Sequence, residues 1–476
     1  MSEFRYLLPE TILSVVGAVI MLLCPFLDHK NSRIPGMLSG LALLAAVVAV
    51  VTGWHQNAAA FGGMVIIDFF SNLARLLIFT ILFFISVSSI NFLQREQINF
   101  GEFYALLLFV TVGSSLMVLS GDLILTFLGI EVLSIGSYIL AGFKRDDFRC
   151  TEASMKYFLL GAFSTAFLLY GIALLYGKIG STRYVDLAGN LNATPDALTL
   201  AGLALILVGF GFKVAMAPFH VWTPDVYEGA LTPITAFLSV GSKAAAFLAF
   251  VRVFYVALRD LAHAWSYILW LAAVLTMFLG NITALRQDNI KRMLAYSSIA
   301  HAGYILVGFV ATSHFGVAAV LFYILSYALM NLGAFTVVQL ISGEGENRVS
   351  IQDYIGLGWR QKGLAVALSL SLFSLAGIPA TAGFMGKLFL FSAAAERGLY
   401  RLVVLAVVNS AIAVYYYLRI VVLMYMREPS STEVSIGISF PEAAVIGFSV
   451  LGTLILGFFP GLFMRWAEIA TTSIVR

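Results

Sequence analysis

The sequence predicts an all-α polytopic membrane protein with about fourteen transmembrane helices, and three observations carry that reading. First, 61% of its 476 residues are hydrophobic and only 11% are charged, against roughly 25% charged in soluble domains. Second, the apolar residues fall into runs of about 20, the length that crosses the hydrocarbon core of a bilayer. Third, the runs are too long and too evenly apolar for alternating barrel strands, and only helices or closed barrels satisfy their backbone in lipid.

The expected spans are 6–27, 34–54, 68–93, 103–120, 122–143, 156–178, 199–220, 232–256, 265–285, 291–311, 314–341, 363–394, 400–426 and 440–464. The first contains Pro9 and Glu10 and is long for a signal sequence, so it reads as a retained membrane helix. The connections near 177–199 and 342–362 are short, polar and glycine-containing and read as loops. Cys24 in a span and Cys150 in a loop are too far apart in sequence to form a CxxC motif. A net charge of +3, spread along the chain, gives no footprint for nucleic acid.

Basic residues concentrate in loops after odd-numbered spans: Lys30, Arg33, Arg95, Lys144, Arg145, Arg149, Arg286, Lys291, Arg292, Arg348, Arg360, Lys362 and Arg427. Those loops are expected to face the cytoplasm, which puts both chain ends on the other side.

Two spans are interrupted alike. Span seven reads GFGFKVAMAPFHVWTPDVYEG, with Pro218 and Pro224; span twelve reads SLFSLAGIPATAGFMGKLFLF, with Gly377, Pro379 and Gly383. Proline removes a backbone donor, and a broken membrane helix persists only where protein or water satisfies the freed groups. Two such breaks five spans apart suggest two inverted five-helix repeats, spans 4–8 and 9–13, with an ion pathway at the breaks. Ordinary proline kinks are the plainer alternative. The expected division is 1–93 for three N-terminal helices, 103–256 and 265–426 for the repeats, and 427–476 for a C-terminal helix.

Four charged residues lie deep inside spans, where each costs about 2.5–3.5 kcal/mol to insert. Glu131, in GDLILTFLGIEVLSIGSYILAGF, is nine residues past Asp122, or roughly 13 Å along a helix. Lys213 precedes Pro218, Lys243 lies in ITAFLSVGSKAAAFLAF, and Lys387 follows the second break. An amine out of water loses its preference for the charged form, and a nearby carboxylate restores it. Such groups suit a proton relay, with Glu131 and Lys213 as a pair whose spacing switches it; a static ion pair for packing is the alternative. His301 and His220 are secondary candidates as proton shuttles, and Lys156 is either a further member or an interfacial anchor. Asp68 and Arg75 are expected to pair with each other, and Asp225 and Glu228 to belong to the loop after span seven. His29, His55, His263 and His314 read as loop-borne or interfacial.

Redox and ATP motifs are missing. GFGF at 209–212 lies inside an apolar span rather than after a strand. There is no Walker A sequence, no cysteine cluster for iron–sulfur ligation and no CxxCH. Any driving energy is expected from a gradient or from partner subunits, with no cofactor in this chain.

The segment GFKVAMAPFHVWTPDVYEGALTPITAFLSVGSKAAAF resembles the hallmark of the antiporter-like membrane subunits of proton-pumping NADH:quinone oxidoreductase, respiratory complex I. TPDVYEG, TAFLSVGSKAA, GIEVLSIGSYIL and IKRMLAYSSIAHAGYILVG are similar to the N type within that family rather than to L or M. The resemblance implies two inverted repeats and proton transfer through Glu131, Lys213, Lys243 and Lys387. It also implies partners among the other complex I subunits, K and M in particular, and membrane lipids. NADH, FMN, iron–sulfur clusters and a quinone such as ubiquinone would be held by those partner subunits, in a bacterial inner membrane. An Mrp-type cation/proton antiporter subunit, a membrane subunit of a related hydrogenase, and a passive scaffold remain the rival readings.

Overall fold

The computed structural model describes residues 2–26, 33–98, 100–191, 194–428 and 437–474. In chain order the helices are α1 Leu8–Leu23, α2 Arg33–Thr52, α3 Phe69–Arg95, α4 Glu102–Leu119, α5 Leu123–Ala141, α6 Phe148–Ile179, α7 Tyr184–Leu187, α8 Ala197–Lys213, α9 Trp222–Gly229, α10 Thr232–Phe237 and α11 Lys243–Arg252. They continue with α12 Ala262–Ala284, α13 Ile290–Val310, α14 His314–Ile341, α15 Leu357–Arg360, α16 Lys362–Ala376, α17 Ala382–Glu396, α18 Tyr400–Met426, α19 Phe440–Phe458 and α20 Gly461–Thr471. Between α2 and α3, β1 Ala58–Ala60 pairs antiparallel with β2 Val65–Ile67, with Ala59 opposite Ile66.

Among the described residues, twelve helices are long and apolar enough to cross a membrane. Two shorter apolar helices, Ala197–Lys213 and Lys362–Ala376, stand where the interrupted spans were expected. Both spans are discontinuous. α8 ends at Lys213 and α9 starts at Trp222; α16 ends at Ala376 and α17 starts at Ala382. At the first break the backbone turns through Ala215 at φ 58°, and Pro224 falls in the first turn of α9, where its missing N–H costs nothing. At the second, Gly377 caps α16 in the left-handed region at φ 89°.

In the stretch Thr232–Ala257, α10 to α11 with π-helical turns at Leu238–Ser242 and Val253–Ala257, every residue of the most apolar 18-residue window is buried, against 33% of the corresponding window in Phe440–Phe458. α13 and α14 are nearly as enclosed. The interior therefore holds the spans that carry polar groups, and the rim helices carry apolar side chains outward, as lipid requires.

Several local expectations are corrected. Cys150 lies in α6, not in a loop, because that helix starts at Phe148; it is buried and its Sγ donates to Gly229 O at 3.0 Å. The connection at 177–199 contains α7, and that at 342–362 contains α15 and two 3-10 turns, Glu344–Glu346 and Ile351–Tyr354. The last expected span is two helices, α19 and α20. Lys291 is not a loop cation: it is buried in α13 and donates to Glu346 Oε2 at 2.9 Å and to Ala230 O at 2.6 Å. His29 and Lys30 lie outside the described residues.

Candidate functional site

Lys213 is the last residue of α8. Among the described residues its Nζ has no hydrogen-bond partner, although the residue is buried. It lies instead 5.4 Å from the Tyr138 ring centroid and 5.6 Å from those of Tyr157 and Phe212. Glu131 stands on α5, two turns before Tyr138. Its Oε1 is buried and also unpartnered, so Glu131 and Lys213 do not form a static ion pair in this conformation.

Lys243 opens α11 directly after a π-helical turn, among small residues that leave room for its stem. Its Nζ donates to Ser298 O at 2.9 Å and to Ser298 Oγ. Beside it lies a cavity of ≈ 10 Å³, lined by Lys243, Ser298, His301 and Tyr327 among others. That is about the space one water centre needs.

His301 is buried on α13. Its Nδ1 is 2.7 Å from Tyr323 Oη and its Nε2 3.1 Å from Tyr417 Oη; which nitrogen carries the proton depends on the tautomer. Beyond it, the Tyr417 ring lies 4.4 Å from Tyr416. Tyr416 Oη donates to Asn281 Oδ1 at 3.0 Å, and Asn281 Nδ2 donates to Tyr304 Oη at 3.1 Å. Tyr304 presents its ring face to Lys387 Nζ at 4.9 Å. Asn281 fixes the two hydroxyls but does not titrate, so a proton crossing here needs another carrier.

Lys387 is on α17 and reaches back over the second break. Its Nζ donates to Leu375 O at 3.0 Å, Ala376 O at 2.9 Å and Ser410 Oγ at 3.0 Å. The amine thus occupies the C-terminal end of α16, where the last carbonyls lack helical donors.

His220 lies in the first break, half-buried, with Nδ1 buried and unpartnered. Lys156 does not join the buried row. Its side chain is 44% exposed and pairs with Asp225 at 2.8 Å and Glu152 at 2.9 Å. Asp225 and Glu228 are in helix α9, not in a loop, and both accept from Arg292 Nη1 at 2.8 Å. His55 and His263 are exposed, and His314 opens α14 with Nδ1 3.4 Å from Thr471 Oγ1.

The expected Asp68–Arg75 pair is not made. Seven residues along a helix are roughly 10 Å of axial rise, too far for a direct contact. Asp68 instead caps α3 and accepts from Arg252 Nη2 at 2.6 and 2.7 Å, while Arg75 meets Glu10 at 3.4 Å. The sequence reading missed Arg252. Its signal was available, since Arg252 stands in the apolar run AFVRVFYVA and the insertion cost that singled out Lys243 applies equally. Tyr304, Tyr323, Tyr416, Tyr417 and Ser298 had no such signal, because these types are common in membrane helices without a polar role. Among the described residues no three His, Cys, Asp or Glu side chains are placed to hold a metal ion.

Residues 120–413 match the family described as "NADH:quinone oxidoreductase/Mrp antiporter, TM". A Trichlorobacter lovleyi protein named NADH-quinone oxidoreductase subunit N is 46% identical over 480 residues, covering 99% of this chain and 98% of its own. Among solved structures, a chain of respiratory complex I from Thermus thermophilus with bound aureothin is 36% identical, with a TM-score of 0.82 over 97% of this chain and 100% of that one. A chain of an archaeal membrane-bound sulfane sulfur reductase is 26% identical, with a TM-score of 0.89 over 100% and 98% of the two chains.

Proposed function

Since the chain belongs to the NADH:quinone oxidoreductase/Mrp antiporter transmembrane family, we propose that it is the proton-translocating N-type membrane subunit of a bacterial respiratory complex I. The observation that carries this reading is the buried row Lys213, Lys243, His301 and Lys387, set between the two helix breaks. Buried amines and an imidazole can take up and release protons, and a cavity the size of one water centre borders Lys243 and His301.

In this reading Glu131, Lys213, Lys243 and Lys387 transfer protons, His301 bridges Lys243 toward Lys387, and His220 lies near the first break as a lesser member. Lys156, exposed and paired with Asp225, acts on the position of α9 rather than as a carrier. Redox energy released in partner subunits changes the spacing of Glu131 and Lys213, and a proton moves on to Lys243.

The chain works as one subunit of an NADH:quinone oxidoreductase. The partners hold NADH, FMN, iron–sulfur clusters and quinone, and subunits K and M flank this one in a bacterial inner membrane with both termini on the non-cytoplasmic side. The fourteen-span count, the inverted repeats 103–256 and 265–426, and the flanking segments 1–93 and 427–476 complete the proposal.

The test is quinone reductase rate and proton uptake for Glu131→Ala and Lys213→Ala in assembled complexes. Loss of pumping with intact assembly is expected. Normal pumping in both variants would leave a passive scaffold, and a sodium requirement for transport would favour a cation/proton antiporter.

A further inference from the structure

We propose that Tyr138, Tyr157 and Phe212 form an aromatic cage that binds the Lys213 ammonium, a second holding site for it besides the Glu131 carboxylate. This rests on the reading of Lys213 as a proton-carrying residue. The cage explains how a buried amine stands here with no hydrogen bond to any described residue. Three ring centroids lie 5.4 to 5.6 Å from its Nζ, and a cation within about 6 Å of a ring face is attracted by the ring's quadrupole, most strongly away from water.

The rings are fixed by their own packing rather than by the lysine. Tyr157 stacks on Trp222 with centroids 4.4 Å apart and planes at 12°, and meets Tyr138 edge to face at 4.7 Å. Trp222 Nε1 donates to Phe212 O at 3.0 Å. The cage walls therefore come from α5, α6 and α8, and the brace behind them is the first residue of α9. Both sides of the break contribute, so a shift of α9 against α8 would open or close the cage. The Tyr138 hydroxyl fits only because residue 161 is glycine: a Cβ there would lie 1.9 Å from Tyr138 Oη.

A lysine shared between carboxylate and cage has two distinct resting places. Leaving the cage breaks no hydrogen bond, so the amine can respond to a small change in the position of Glu131. Tyr138 and Tyr157 are positioning residues in this scheme.

The experiment replaces Tyr157 in the whole complex with phenylalanine and then with phenylalanines of increasing fluorination, which keep ring shape but drain charge from its face. Proton pumping per quinone reduced is expected to survive Tyr157→Phe and to fall stepwise with fluorine number, on the order of 3- to 30-fold over the series. Assembly is followed on native gels, and it should not change along the series. Gly161→Ala, which must displace the Tyr138 hydroxyl, is expected to lower pumping as well. Pumping that is flat across the fluorinated series, or a Tyr157→Phe complex already as impaired as the most fluorinated one, would overturn the cage. Lys213→Ala in parallel separates the two levels. Normal pumping there overturns the proton-carrying reading itself, whereas lost pumping there with a flat fluorinated series overturns the cage alone.

Discussion

At the first break Lys213 Nζ makes no hydrogen bond among the described residues and lies by three aromatic rings, while at the second Lys387 Nζ donates to two carbonyls and a serine hydroxyl. Both breaks follow the end of an apolar helix, and both amines are buried. The difference is in what each would lose by moving. Lys387 is tied to the end of α16, and leaving it strands the Leu375 carbonyl in a water-poor interior. Lys213 strands nothing. One break thus anchors its amine and the other leaves it free to exchange partners, which suits an end-point of transfer and a switch respectively.

The sharpest way to break this comparison is to remove each amine. Lys387→Met should leave the Leu375 carbonyl without its side-chain donor and the Ala376 carbonyl with only the longer bond from Ser410 Oγ at 3.4 Å, at about 1–3 kcal/mol for a buried acceptor left unpaired. Lys213→Met keeps the volume and leaves no acceptor unpaired, so it should cost less than about 1.5 kcal/mol. Heating the assembled complexes and scoring the fraction that retains this subunit compares the two; equal heat sensitivity would remove the distinction.

Gly377→Ala comes next. Its φ of 89° is left-handed, and a Cβ there would lie 3.1 Å from Lys387 Cδ and 3.2 Å from its Nζ. The conformation alone costs about 1–2 kcal/mol for a non-glycine residue. The variant should be less heat-stable and slower to pump, whereas the same change at Gly177, where an added Cβ would meet nothing within 4 Å beyond its own helix backbone and chain neighbours, should do neither. Ser410→Ala removes one of three Lys387 partners, at about 1 kcal/mol. Pumping should fall by less than about tenfold, measured as proton uptake per quinone reduced.

The smallest effect belongs to Asp196, outside the membrane helices. The Lys178 ammonium, and then the Thr199 hydroxyl and backbone N–H, hold its carboxyl well below the usual carboxylate range. A carboxyl depressed on folding stabilises the folded state fully above its unfolded value, and that contribution is lost as pH falls through the lower folded value. Asp196→Asn should therefore weaken the acid dependence of unfolding slightly and leave pumping at neutral pH unchanged; screening by solvent keeps the effect small.

The helices were legible because lipid imposes a length and a composition that a single sequence displays. The breaks were legible because Pro218 and Gly377 leave a covalent mark on the backbone. Glu131, Lys213, Lys243 and Lys387 stood out because charge is costly in an apolar run. Partner choice was not legible. Asp68 pairs with Arg252, 184 residues away, and a helix pattern offers no view of a contact across the bundle. Helix ends were also blurred, as at α6 and α9, where polar residues such as Arg149, Asp225 and Glu228 continue the helix through ion pairs with neighbours. The tyrosine and asparagine groups between His301 and Lys387 needed the packed structure, because each is unremarkable alone.

Lys243 lies between the two breaks and donates only to Ser298, so it tests the central claim with the least structural side effect. The direct measurement is proton translocation by the intact complex in sealed vesicles, with Lys243→Met beside the unaltered protein and assembly matched. Quinone reduction with pumping lost or sharply reduced is the expected result. Full pumping from the assembled Lys243→Met complex would contradict the claim that protons travel through the buried amines of this chain.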